Sequence, residues 1–118
     1  MARNEEILIA NTRDPLYGRS RAEIERLFRE RLTGRVSRAY FFGSFASGTM
    51  DRDSDIDIIL VKETTEPFVE RPAAFFDLLD IVPACDILVY THAEFERLTG
   101  DPSAGFWQDV TATMKRFI

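Results

Sequence analysis

Two aspartates, Asp55 and Asp57, open an otherwise apolar run through Ile56, Ile58, Ile59, Leu60 and Val61, and Gly43-Ser44 stands ten residues before them. Alternation along a strand puts residues two apart on one face, so the two carboxylates share a surface while Ile56 and Ile58 point the other way. Left uncompensated, such a pair repels and one member tends to take up a proton; a cation between them keeps both ionised. Hard oxygen ligands suit Mg²⁺, which commonly uses one or two carboxylates together with substrate phosphates. Gly43 and Ser44 supply the complementary half. At the exit of a strand, free backbone N–H groups and a helix N-terminus attract phosphate, glycine permits close approach and the serine adds a hydroxyl donor. A phosphate cradle and a metal pair at this separation match a nucleoside triphosphate with its bound ion. An isolated Asp-x-Asp is more often just an exposed strand start, and the Gly43-Ser44 neighbourhood is what shifts the reading.

Those residues need strands and turns to place them, and the chain provides both. Val36 to Phe42 is β-like, Gly43 to Gly48 reads as a tight turn into a short helix, Asp51 to Ser54 as a polar loop, and Asp55 to Val61 as a second strand. Asp53 and Ser54 are expected to shape the turn rather than bind metal. Upstream, Ser20 three residues before Glu23 is a capping-box signature, followed by Ile24, Leu27, Phe28 and Leu32 at helical spacing up to Gly34. Glu25 and Arg29 form a favourable i,i+4 pair on its outer face. Ile7 to Ala10 reads as a short helix or an edge strand, with a turn at Asp14-Pro15. Downstream, Pro67 and Pro72 bracket a loop, Ala73 to Leu79 is helical, and Cys85 to Tyr90 is a third strand. Thr91 and Glu94 form another capping box, opening a helix with Phe95 and Leu98 that stops at Gly100. A last helix carries Trp107, Val110, Met114 and Phe117 on one stripe, suited to core or subunit contact.

A chain of 118 residues with 45% hydrophobic content and ten Phe can bury one core. With no internal repeat or linker-like stretch, residues 1–118 are expected to form a single domain. The net charge of −5 argues against a dedicated nucleic-acid binder, so no direct nucleic-acid binding is expected. Charge is uneven: residues 1–50 carry nine Arg against six acids, and residues 51–118 carry six bases against fourteen acids. Metal binding would account for part of that acidic half, although a solvated acidic surface accounts for most such runs. No run of about 18 apolar residues and no secretory signal is visible, so a cytoplasmic, membrane-free protein is expected. The lone Cys85 is expected to fill core, in a reducing compartment.

Gly43-Ser44, ten residues, then Asp55-Ile56-Asp57 resembles the signature of nucleotidyltransferases of the DNA polymerase beta superfamily, and the run GSFASGTMDRDSDIDIIL is most similar to their minimal branch. The resemblance implies an α+β fold, a small mixed β-sheet with helices packed on one face. It also implies a third carboxylate on a later strand, which Asp86 would supply. If Cys85, Ile87 and Val89 face the core, Asp86 faces the opposite side. By the same resemblance, Asp55 and Asp57 would hold two Mg²⁺ ions, and Asp86 would help bind one and favour deprotonation of the attacking hydroxyl. Gly43 and Ser44 would hold the β- and γ-phosphates of ATP.

The reaction so implied is attack of an acceptor hydroxyl on the α-phosphorus with release of pyrophosphate, needing no covalent nucleophile. His92 is read as an ordinary residue near a helix start. Many relatives carry a basic residue where this chain has Ser47; Arg52 and Lys62 are the candidate substitutes. Minimal members often pair with a HEPN-domain ribonuclease toxin and add AMP to one of its tyrosines, so an antitoxin role is the leading expectation. The alternatives are an antitoxin that neutralises its partner by binding alone, and a transferase acting on aminoglycoside-like small molecules. The open carboxylate face and the final stripe also leave room for a second copy.

Overall fold

The computed structural model describes residues 14–102 and 105–118, so the apolar group at Ile7 to Ala10 lies outside the described residues. The turn expected at Asp14-Pro15 is present. The Asp14 carboxylate accepts from the N–H groups of Leu16 at 3.0 Å and Gly18 at 2.8 Å. Helix α1 follows over Arg21–Leu32. Its capping box is half made: the Ser20 hydroxyl accepts from the Glu23 N–H at 3.0 Å, while the Glu23 carboxylate pairs with Arg19 at 3.3 Å. The Glu25–Arg29 pair forms at 3.0 Å. Ile24, Phe28 and Leu32 are wholly buried, which is why this stripe docks on the sheet.

Strands β1 (Arg38–Phe42), β2 (Ile56–Val61), β3 (Cys85–Tyr90) and β4 (Lys115–Arg116) form one sheet in the order β3-β2-β1-β4. β1 runs antiparallel to β2 and β4, and β2 runs parallel to β3. The mixed sheet and the α+β class are therefore as expected. Helix α2 (Gly43–Ser47) links β1 to β2, α3 (His92–Gly100) follows β3, and α4 (Gly105–Thr113) precedes β4.

Alternation sorts the strand residues onto two buried faces. Ala39, Phe41, Ile56, Ile58, Leu60, Ile87 and Val89 join α1 and a 3-10 segment, Phe68–Asp80, in one cluster. Tyr40, Phe42, Ile59 and Val61 join Phe95 of α3 and Val110 of α4 in the other. The helices thus divide between two faces where one was expected. The central strands carry apolar residues at nearly every position, and a strand buried on both faces needs cover on both.

Two further expectations are corrected. Pro67 and Pro72 do not bracket a loop: a 3-10 helix spans Phe68–Asp80 and runs through Pro72. Proline's fixed φ suits a 3-10 turn, and Arg71 ties the segment down. Arg71 is only 8% exposed and donates to Glu94 at 2.7 Å, to the Val89 carbonyl at 3.1 Å and to the Glu66 carbonyl at 2.9 Å. That pairing, with the Thr91 N–H, holds the Glu94 carboxyl down at about 2, while Glu94 completes the expected capping box of α3. The last helix stops at Thr113, and Lys115–Arg116 becomes edge strand β4. Its stripe accordingly splits, with Val110 in one cluster and Phe117 in the other, stacked on Phe41 with ring centroids 4.2 Å apart. Among the described residues no helix is long and apolar enough to cross a membrane.

Candidate active site

The candidate residues converge where β1 ends and where β2 and β3 begin. Phe42 pairs with Asp57 across β1 and β2, so Gly43 leaves the sheet directly beside Asp57. Asp57 pairs with Asp86 across the parallel strands β2 and β3, so both carboxylates leave the same face. Asp55 has the same parity as Asp57 and precedes β2. The alternation reading for Asp86 holds, since Ile87 and Val89 are buried in the opposite cluster with Cys85 packed against it.

The electrostatics record this crowding. Partial burial, the charge of Asp86, a hydrogen bond with Asp86 and the charge of Asp55 push the Asp57 carboxyl up to about 7. Burial first, then Asp86, Asp57 and Asp55, push the Cys85 thiol up to about 12. A thiol so protonated is an inert filler, as its sequence context suggested.

Gly43 is needed for this geometry. Its φ is +70°, and a Cβ there would lie 2.6 Å from Asp57 Oδ2. Only glycine lets the chain turn left-handed with a carboxylate this close. The Gly43 N–H donates to Thr113 Oγ1 at 3.0 Å, and that hydroxyl donates to the Asp109 carbonyl at 3.0 Å. α4 thus fixes the turn from across the site. No local motif signals Thr113, because the contact spans 70 residues. The Ser44 hydroxyl has no intramolecular partner among the described residues, and N–H groups in the first turn of α2 have no i−4 carbonyl to bond. Gly48 closes α2 in the left-handed conformation, its N–H donating to the Ser44 carbonyl at 3.0 Å.

The loop before Asp55 is a hydrogen-bonded turn, shaped by Asp53 and Ser54 as expected. The Ser54 hydroxyl bonds the Asp51 carboxylate at 3.1 Å and accepts from the Asp51 N–H at 3.0 Å, and the Asp53 N–H donates to that carboxylate at 2.9 Å. Ser47 is exposed and shares a 2.8 Å hydrogen bond with Thr49. Lys62 does not replace the basic residue missing there. It follows the far end of β2, and its amine lies 5.6 Å from the Phe75 ring centroid, in the opposite cluster. His92 likewise follows the far end of β3, 3.7 Å from Glu96.

The donors fit a hard divalent cation. Asp86 on the neighbouring strand raises the proton affinity of Asp57, and a cation relieves that repulsion. They do not make a closed cage: among the described residues no group of three or more His, Cys, Asp or Glu is gathered to hold a metal unaided. An open carboxylate site completed by phosphate oxygens is an arrangement that Mg²⁺ commonly adopts.

No curated protein matches the sequence. Among solved structures, the chain is similar to a candidate nucleotidyltransferase from Sulfolobus solfataricus, with 22% identity and a TM-score of 0.50 over 68% of this chain and 83% of that one. It also matches a toxin–antitoxin crystallised with AMP-PNP, at 24% identity and a TM-score of 0.48, over 80% and 72% of the two chains. A third match is the toxin–antitoxin MntA-HpeT, at 22% identity and a TM-score of 0.44, over 85% and 73%. The profile of the nucleotidyltransferase domain family matches residues 21–113, more than three quarters of the chain, taking in β1, α2, β2, β3 and the whole candidate site. The protein is a member of the nucleotidyltransferase domain family, with a polymerase-beta-like fold.

Proposed function

We propose that this chain transfers AMP from ATP to a hydroxyl, that of a tyrosine on a partner HEPN ribonuclease toxin, and so acts as an antitoxin. The observation that carries the transfer reading is the placement of Asp57 and Asp86 side by side beneath a glycine turn whose Cβ position is blocked by Asp57 itself. The antitoxin role and the partner rest on the resemblance of the Gly43 to Leu60 run to the minimal branch.

Asp55, Asp57 and Asp86 would hold Mg²⁺, which when bound supplies charge neutralisation on the phosphates. The chain's own residues do the positioning. The Gly43 turn and the Ser44 hydroxyl orient the β- and γ-phosphates, and Asp86 accepts the proton of the attacking hydroxyl or holds that hydroxyl in line. Pyrophosphate leaves as the acceptor oxygen bonds to the α-phosphorus.

The test is incubation with Mg²⁺, α-labelled ATP and a candidate HEPN partner. Label on the partner that disappears with Asp86→Asn supports the proposal. A second reading, neutralisation by binding alone, is favoured by Ser47, whose hydroxyl engages Thr49, and by the displacement of Lys62. Neutralisation that persists without label under any nucleotide selects that reading and ends the first.

A further inference from the structure

A hollow of about 130 Å³ opens between α4 and the Gly43 turn, lined by Phe42, Gly43, Phe106, Asp109, Val110 and Thr113. It lies on the carboxylate face of the sheet, because Phe42 is the register partner of Asp57 and Gly43 touches it. Pockets that swallow a whole ligand run to about 300–1,000 Å³, so this one takes only part of a molecule. Its walls are aromatic and aliphatic. Phe106 is 49% exposed, although it meets Phe42 edge-on at 5.7 Å and Trp107 edge-on at 5.5 Å, so it retains open ring surface. Asp109 is the one charged residue of the lining, and its carboxylate has no partner among the described residues. An unpaired carboxylate repels phosphate and accepts N–H donors, so it suits the uncharged end of a nucleotide. Gly43 belongs both to the hollow and to the phosphate turn.

We propose that this hollow seats the base of the nucleoside triphosphate, with Phe106 stacking on the ring and Asp109 accepting a hydrogen bond from it. The inference rests on the nucleotide reading of the site and adds where the base goes and which residues select it. A carboxylate acceptor placed against an exocyclic amino group pairs with adenine, guanine or cytosine, whereas uracil presents a carbonyl at that position.

The experiment measures equilibrium binding of ATP, UTP and inorganic tripolyphosphate with Mg²⁺, read by fluorescence of Trp107, the single tryptophan. Phe106→Ala is expected to weaken ATP about tenfold, as loss of one stacking platform does, and to leave tripolyphosphate unchanged. Phe106→Tyr should keep the affinity, and Asp109→Asn should narrow the preference of ATP over UTP. Unchanged ATP affinity in Phe106→Ala, or an equal loss for tripolyphosphate, overturns the base seat. If wild-type protein binds tripolyphosphate and ATP equally, the base seat falls while the phosphate site stands. If it binds neither, the nucleotide reading falls with it.

Discussion

Replacing Asp57 by asparagine should stabilise the metal-free protein at about pH 8. In the folded chain the carboxyl is pushed from the ordinary 3.8 to about 7, so below pH 3.8 both folded and unfolded states hold the proton. As pH rises through that window the unfolded state ionises first, and stability is lost until the folded carboxyl ionises near 7. The full interval corresponds to about 4 kcal/mol, and solvent screening of a half-buried group reduces it to roughly 2–4 kcal/mol. Asparagine keeps the shape, keeps a donor for Asp86 and removes the repulsion. For a domain of this size the gain is roughly 8–15 °C in Tm. Thermal unfolding in EDTA between about pH 4 and pH 8 measures it, and Mg²⁺ should then raise the Tm of the wild type but not of the variant. A variant less stable than wild type in EDTA at about pH 8, or a wild-type stability that does not fall relative to the variant between about pH 4 and pH 7, would show that the Asp57 charge does not strain the metal-free fold.

Gly43→Ala, whose Cβ would meet Asp57 Oδ2 at 2.6 Å, should abolish detectable Mg·ATP binding in calorimetry; Gly48→Ala, with nothing within 4 Å, should cost only about 1–2 kcal/mol of stability for its left-handed backbone. Thr113→Val strands the Gly43 N–H and should destabilise by about 1–2 kcal/mol in urea unfolding while weakening Mg·ATP binding several-fold. The Glu94 carboxyl, held at about 2 by Arg71, contributes stability that is present above its ordinary 4.5 and is lost as pH falls toward 2. Solvent screening at this partly exposed carboxyl reduces that contribution, so Glu94→Gln should cost about 1–2 kcal/mol at neutral pH and progressively less in acid, measured by urea unfolding at several pH values.

The strands and the carboxylate face were legible because both depend on period-two patterning over short spans. Asp55 and Asp57 could be assigned a common face from alternation alone, Asp86 was added to them by the family resemblance, and the register placed Asp57 and Asp86 side by side. What failed to show had long-range causes. The stripe from Trp107 to Phe117 keeps helical spacing, yet pairing with the edge of β1 outweighs helix continuation after Thr113. Pro72 suggested a loop because its missing donor is visible in sequence, whereas the Arg71 contacts that hold the 3-10 segment together are not. Thr113 and the Phe106 hollow are hidden for the same reason: α4 reaches the Gly43 turn only in three dimensions.

Transfer to a partner is read by pyrophosphate release, followed in real time from protein, Mg²⁺ and ATP with a candidate HEPN partner, and by the intact mass of that partner afterwards. Pyrophosphate is expected in proportion to the nucleoside monophosphate mass gained, and neither is expected in Asp57→Asn or Asp86→Asn. A partner that is bound and neutralised with no mass gain and no pyrophosphate would contradict transfer.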